Sequence, residues 1–220
     1  MNTAIIAGGM LEEAFIKAFV ESYDAGDLKI IACDKGYDAC ERMGLKVAYA
    51  IGDFDSAEGG TLSRIKAAGI PYRVLNPVKD DTDTEAALAY AIDKSTPKDE
   101  IYLLGATGFR LDHLLGNVSL LGMGLKNNRV VIMMDSHNQI QMITSGETYR
   151  IQADNQFGKF ISVFPYMGKV KGLTMEGFKY PLNNAELQGF NTLTVSNELT
   201  APEGRISIKS GYLIVMETRD

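Results

Sequence analysis

At 220 residues, with 45% hydrophobic and 23% charged side chains, the chain holds apolar material for one large core or two modest ones, as an ordinary globular protein does. A formal net charge of −6 without clustered Lys or Arg excludes a nucleic-acid backbone as partner. It leaves a cationic ligand, or a nucleotide whose phosphates are offset locally by placed cations and Mg²⁺.

The amino terminus, Met1 to Gly9, lacks a basic stretch, and its short apolar run is broken by Gly8-Gly9 and then Glu12-Glu13. Neither a signal peptide nor a membrane span is expected, and a cytoplasmic location is. From 1 to 135, apolar runs alternate with helix-like segments, the pattern of a parallel sheet with crossover helices. The runs are Ala4 to Ala7, Leu28 to Cys33, Val47 to Ile51, Tyr72 to Leu75, Ile101 to Leu104 and Val130 to Met134. Apolar spacing predicts helices over Leu11 to Tyr23, Tyr37 to Met43, Thr61 to Ala68, Thr82 to Lys94 and Leu111 to Lys126. Cys33 and Cys40 form no Cys-x-x-Cys pair and read as buried thiols.

From 136 to 220, short alternating stretches replace helix-length segments, among them Phe160 to Phe164 and Ile206 to Lys209. Ser210-Gly211 reads as a hairpin turn into Tyr212 to Met216. The expected architecture is an α/β nucleotide-binding domain with a parallel sheet over 1–135, followed by a small all-β sandwich over 136–220 that packs against it.

Carboxylates, glycines and cations recur where the predicted strands end. Gly52-Asp53-Phe54-Asp55-Ser56 follows an apolar run, and two carboxylates so close repel each other unless a cation such as Mg²⁺, shared with substrate phosphates, relieves them. A single aspartate at a strand end is commonly only an N-cap. The pattern recurs, however, in Asp34-Lys35-Gly36 and in Lys79-Asp80-Asp81-Thr82-Asp83. Thr82 to Glu85 is a capping box, which accounts for Thr82 and Glu85 but not for the further carboxylates. Gly105-Ala106-Thr107-Gly108-Phe109-Arg110 offers backbone N–H groups near a helix start and a guanidinium able to grip phosphate bidentately. It is neither a Walker A loop nor a Gly-x-Gly-x-x-Gly fingerprint. His113 suits either a nucleotide contact or a helix start, and His137 reads as structural or surface. With no Ser-His-Asp or Cys-His spacing, the set points to phosphoryl or pyrophosphoryl transfer rather than nucleophilic hydrolysis.

With these stretches the chain resembles the bacterial thiamine pyrophosphokinase family. Further matches are Leu111-Asp112-His113, Gly177-Phe178-Lys179-Tyr180-Pro181-Leu182 and Val195-Ser196-Asn197-Glu198, and the whole set runs in family order over nearly the full length. The resemblance implies transfer of the pyrophosphoryl group of ATP to the hydroxyl of thiamine, giving thiamine diphosphate and AMP. It also implies a homodimer with thiamine sites at the subunit interface. By the same resemblance Asp53, Asp55 and Asp83 hold Mg²⁺ with Asp80 close by, and Asp53, Asp55, Asp80, Asp83 and Arg110 form the catalytic set. Asp34, Gly36, Lys79, Gly105, Thr107, Gly108, Arg110, Asp112 and His113 face ATP, while Ser196 and Asn197 face thiamine. The family commonly has Ala-Asp-Gly-Gly where this chain has Cys33-Asp34-Lys35-Gly36, so Lys35 adds a side chain able to meet phosphate. Two other readings stay open: a Mg²⁺-dependent kinase or nucleotidyl transferase acting on another small alcohol, and a non-catalytic ATP-sensing module.

Overall fold

The computed structural model describes residues 1–55, 57–76, 81–108, 110–189 and 191–220. The chain divides into two compact units, Met1–Ser136 and His137–Asp220.

The first unit runs β1 (Asn2–Ile6), α1 (Glu13–Glu21), β2 (Leu28–Cys33), α2 (Gly36–Met43), β3 (Tyr49–Gly52), α3 (Thr61–Ala67), β4 (Tyr72–Val74), α4 (Asp83–Lys94), β5 (Glu100–Leu104), α5 (Leu111–Lys126) and β6 (Val130–Met134). Its strands pair in parallel in the order β4-β3-β2-β1-β5-β6. Strands β1 and β5 are near-continuous apolar runs because the central strands are covered on both faces, and Ala4, Ile5, Ile6, Ile101, Leu103 and Leu104 are fully buried. Strand β4, at the edge, is exposed along its length.

From β1 the chain steps outward to β2, β3 and β4, then returns to the other side of β1 with β5 and steps outward again to β6. The winding therefore reverses between β1 and β5. The carboxyl edge at such a reversal is the usual ligand position in an open α/β sheet. Thr82 caps α4 by accepting the Glu85 N–H at 3.2 Å, as the capping box predicts. Cys33 and Cys40 are buried and outside any disulfide, and burial pushes the Cys40 thiol up to about 12. Among the described residues no helix is long and apolar enough to cross a membrane.

The second unit contains β7 (Asn138–Thr144), β8 (Thr148–Gln152), β9 (Phe160–Glu176), β10 (Leu182–Leu187), β11 (Asn197–Glu198), β12 (Glu203–Ser207) and β13 (Ser210–Thr218). All its ladders are antiparallel, in the order β7-β13-β9-β12-β8, with β10 and β11 also on β9. The 17-residue β9 organises the unit, and its inward residues Ile161, Val163, Val170, Leu173 and Met175 meet Ile206, Leu213 and Val215 in one core. The expected hairpin at Ser210-Gly211 does not form. Strands β12 and β13 both pair with β9 and not with each other. Gly211, at φ +100°, instead sits at a register shift in β13, where a Cβ would come within 2.6 Å of the Lys169 carbonyl oxygen.

Candidate functional site

The loops after β1 and β5 are laced together by backbone. Gly9 N–H donates to the Gly105 carbonyl and Met10 N–H to the Thr107 carbonyl, each at 2.9 Å. The approach needs glycine, since a Cβ on Gly9 would lie 2.3 Å from the Thr107 carbonyl oxygen. Beside this seam lies a cavity of about 490 Å³, lined also by Thr82 to Thr84 and by Arg110, His113 and Asn117. The amino-terminal turns of α4 and α5 therefore flank it, and helix amino termini carry partial positive charge that favours an anion. Thr107 Oγ1 is buried without a hydrogen-bond partner among the described residues.

Carboxylates gather at one edge. Oxygens of Asp34, Asp53 and Asp83 all lie within 4.8 Å of one another, each residue half-buried. They come from three loops, after β2, after β3 and at the start of α4. Asp34 joins them because the chain reverses at it in the left-handed region, at φ +51°, while its N–H donates to the Ile51 carbonyl at 2.9 Å. Gly52 lets the two strand ends close up, since a Cβ there would lie 2.9 Å from Asp34 Cα. Phe54, at φ +59°, turns the next loop, and the Asp55 N–H donates to an Asp53 carboxylate oxygen at 3.1 Å. Asp55 itself is exposed and stands outside the converging trio. Lys79 and Asp80, with Ser56 and Phe109 of the predicted motifs, lie outside the described residues. Gly36, predicted to face the nucleotide, is buried at the start of α2, where a Cβ would stand 2.0 Å from the Ile6 carbonyl oxygen.

Arg110 and Asp112 are paired with each other. The guanidinium donates Nε and Nη2 to the two Asp112 oxygens at 3.2 and 2.5 Å, and the His113 N–H also donates to Asp112, at 3.0 Å. Arg110 in this way holds the Asp112 carboxyl down at about 2. Both side chains are exposed, and Arg110 lines the cavity.

Two supporting residues escaped the sequence reading. Asp38, 3% exposed on α2, accepts Thr61 Oγ1–H at 2.5 Å, Arg64 Nη2 at 2.7 Å and the Glu58 N–H at 3.0 Å, tying α2 to the loop that begins with Asp53. Asn117, 8% exposed on α5, donates to the Ala106 carbonyl at 2.7 Å and braces the 105–108 loop. A carboxylate and an amide set among apolar helix positions were the signal available, but nothing in the spacing names their partners.

In the second unit, the two motif stretches that lie far apart in sequence meet. Lys179 N–H donates to the Glu198 carbonyl at 2.9 Å, and Phe178 forms a bridge with Leu199. Asn197 is 5% exposed, and its amide is taken up internally. Its oxygen accepts the Tyr180 N–H at 3.0 Å and the Glu198 N–H at 2.9 Å, and its nitrogen donates to the Tyr180 carbonyl at 2.9 Å. Ser196 is exposed, at φ +58°, with its N–H donated to Ser162 Oγ at 2.9 Å.

Comparison with known proteins finds a family model matching a stretch of each unit. The model described as "Thiamin pyrophosphokinase, catalytic domain" matches residues 22–134, and that described as "Thiamin pyrophosphokinase, vitamin B1 binding domain" matches 148–213. The thiamine pyrophosphokinase of Bacillus subtilis is 39% identical over 190 residues, covering 86% of this chain and 87% of that one. Its crystal structure superposes with a TM-score of 0.87 at 35% identity over 100% of both chains. The thiamin pyrophosphokinase of Geobacillus thermodenitrificans gives a TM-score of 0.85 at 32% identity, over 100% of this chain and 98% of that one.

Proposed function

Because this chain belongs to the thiamine pyrophosphokinase family, we propose that the cavity of its first unit seats ATP for pyrophosphoryl transfer. The enzyme is a thiamine diphosphokinase: it moves the pyrophosphoryl group of ATP to the hydroxyl of thiamine and releases AMP and thiamine diphosphate. The observation that carries the assignment of the site is the meeting of Asp34, Asp53 and Asp83 within 4.8 Å, two of them lining a cavity flanked by two helix amino termini.

Three carboxylates at that spacing suit Mg²⁺, which takes oxygen ligands and usually shares them between a few carboxylates and substrate phosphates. Asp34, Asp53 and Asp83 would hold it, with Asp55 and Asp80 close enough in sequence to complete the set. When bound, the ion supplies charge neutralisation on the phosphate oxygens. The chain's own contribution is positional. The laced loops at Gly9 and Gly105 and the first turns of α4 and α5 orient the phosphates. Arg110, presented by Asp112, meets charge that grows on the transferring group, and the thiamine hydroxyl is held in line with the β-phosphorus. No general base is assigned, since in a loose transition state the hydroxyl proton can leave late.

Thiamine is a cation and suits the acidic chain. We place it against the Ser196 segment of the second unit, a small sandwich folded about β9, with Ser196 as the contact and Asn197 acting through the segment it clamps. The active form is a homodimer with thiamine between subunits, working in the cytoplasm.

Incubation with ATP, Mg²⁺ and thiamine tests the reading. Thiamine diphosphate and AMP without free pyrophosphate are expected. ADP, or free pyrophosphate with an adenylated product, would instead indicate a kinase or a nucleotidyl transferase.

A further inference from the structure

Lys35 lies across Gly8. The three heavy atoms nearest to where a Gly8 Cβ would stand are all in the Lys35 stem: Cγ at 2.7 Å, Cε at 3.0 Å and Cδ at 3.4 Å. The stem is therefore laid flat along the backbone of the β1 loop, and only a residue without a Cβ leaves it that path. Gly8 shows no positive φ, so its part here is the close approach of the Lys35 stem and not conformational freedom. The same residue lines both the 490 Å³ cavity and a hollow of about 340 Å³, as Gly8 and Gly9 do.

Charge points the same way. Two cationic side chains, Lys35 and Arg110, line the larger cavity among the described residues, and Asp112 beside Arg110 offsets part of its charge. Lys35 is exposed and makes no ion pair among the described residues, at a site where carboxylates otherwise predominate. Its position just before α2 gives the ammonium no helix-capping role, since no side-chain cap bond is formed there. An ammonium on a stem held against the loop is a point cation pre-positioned for a polyphosphate.

We infer that Lys35 is a phosphate-binding residue for ATP and that Gly8 sets its reach, so that positions 8 and 35 act as one unit. The inference rests on the reading of this cavity as the ATP site. It makes Lys35 a specificity element for the polyphosphate tail.

The test is a mutant cycle read by the KM for ATP, the KM for thiamine and calorimetric binding of Mg²⁺–ATP, with melting curves to check folding. Lys35→Met keeps most of the stem and removes the charge; it should weaken ATP about tenfold, the loss of one charge-assisted contact in a partly solvated site, and leave the KM for thiamine unchanged. Its ATP affinity should also depend less steeply on salt. Gly8→Ala should weaken ATP in the native background by displacing the stem. It should do almost nothing in a Lys35→Ala background, where the space is open. An ATP affinity for Lys35→Met within about twofold of native would overturn the phosphate role, and equal effects of Gly8→Ala in both backgrounds would overturn the coupling. Failure of the native protein to bind Mg²⁺–ATP would overturn the reading of the cavity and the inference with it; native binding with an unaffected Lys35→Met overturns the inference alone.

Discussion

Asn197→Ala separates a clamp from a direct substrate contact. In the native protein the Asn197 amide holds the Tyr180 N–H, the Tyr180 carbonyl and the Glu198 N–H at 2.9–3.0 Å, from a position 5% exposed. At a net contribution of about 1 kcal/mol per hydrogen bond, with some further cost where a half-buried backbone group loses its partner, truncation should destabilise by about 3 kcal/mol. For a chain of this length that is a fall of roughly 6–12 °C in melting temperature. Asn197→Asp sharpens the test. The carboxylate can still accept both N–H groups but sets an oxygen against the Tyr180 carbonyl, so the loss should persist at neutral pH and ease in acid as the carboxyl regains a donor. Thermal melts at neutral and acidic pH read the stability, and steady-state assays read the KM for thiamine, which should rise as the neighbouring Ser196 loosens from its φ of +58°. If Asn197→Ala melted within about 1 °C of the native protein while the KM for thiamine rose, the clamp account would be wrong and the amide would touch thiamine itself.

Other outcomes follow from the same geometry. Asp34→Asn and Asp83→Asn should each raise the Mg²⁺ needed for half-maximal rate by about tenfold or more while leaving the melting temperature nearly intact; an unchanged Mg²⁺ titration for Asp34→Asn would remove it from the site. If the active sites are shared across a dimer, co-refolding an Asp55→Asn chain with a Ser196-disabled chain should return roughly a quarter of native activity, since about half the dimers are mixed and one of their two sites is whole. No recovery, with subunit exchange shown independently, would sink the shared site and leave the enzyme assignment standing. The last expectation concerns pH. Glu217 is 4% exposed, and burial raises its carboxyl above 4.5 although Tyr149 O–H donates to it at 2.8 Å and the Phe157 N–H at 2.9 Å. A raised folded pKa means the folded state favours the protonated form. That contribution to stability is complete below about pH 4.5 and is lost as pH rises through the folded value. Glu217→Gln should flatten this part of the pH dependence in melting scans from pH 4 to 8, and an unaltered profile would show that another group sets it.

What the sequence by itself determined is everything carried by local spacing. Apolar runs alternating with helical periodicity encode buried parallel strands and their crossovers, because each element must hide one face. Glycines and carboxylates at the strand ends mark the edge where Asp34, Asp53 and Asp83 gather, because those loops emerge on one side of a parallel sheet. The Thr82 capping box was legible for the same reason: cap and donor lie within one turn. What only the tertiary structure decided depends on which distant segments meet. Asp34 enters the carboxylate trio because a left-handed turn and Gly52 draw two strand ends together, and neither contact has a period in the sequence. Asp38 and Asn117 find their partners through space, and Ser210-Gly211 becomes a strand irregularity rather than a hairpin because β9 offers both its neighbours a place. The amide of Asn197 turns inward to Tyr180 because burial leaves it no water to bond, and a buried polar group must find its partners in the chain.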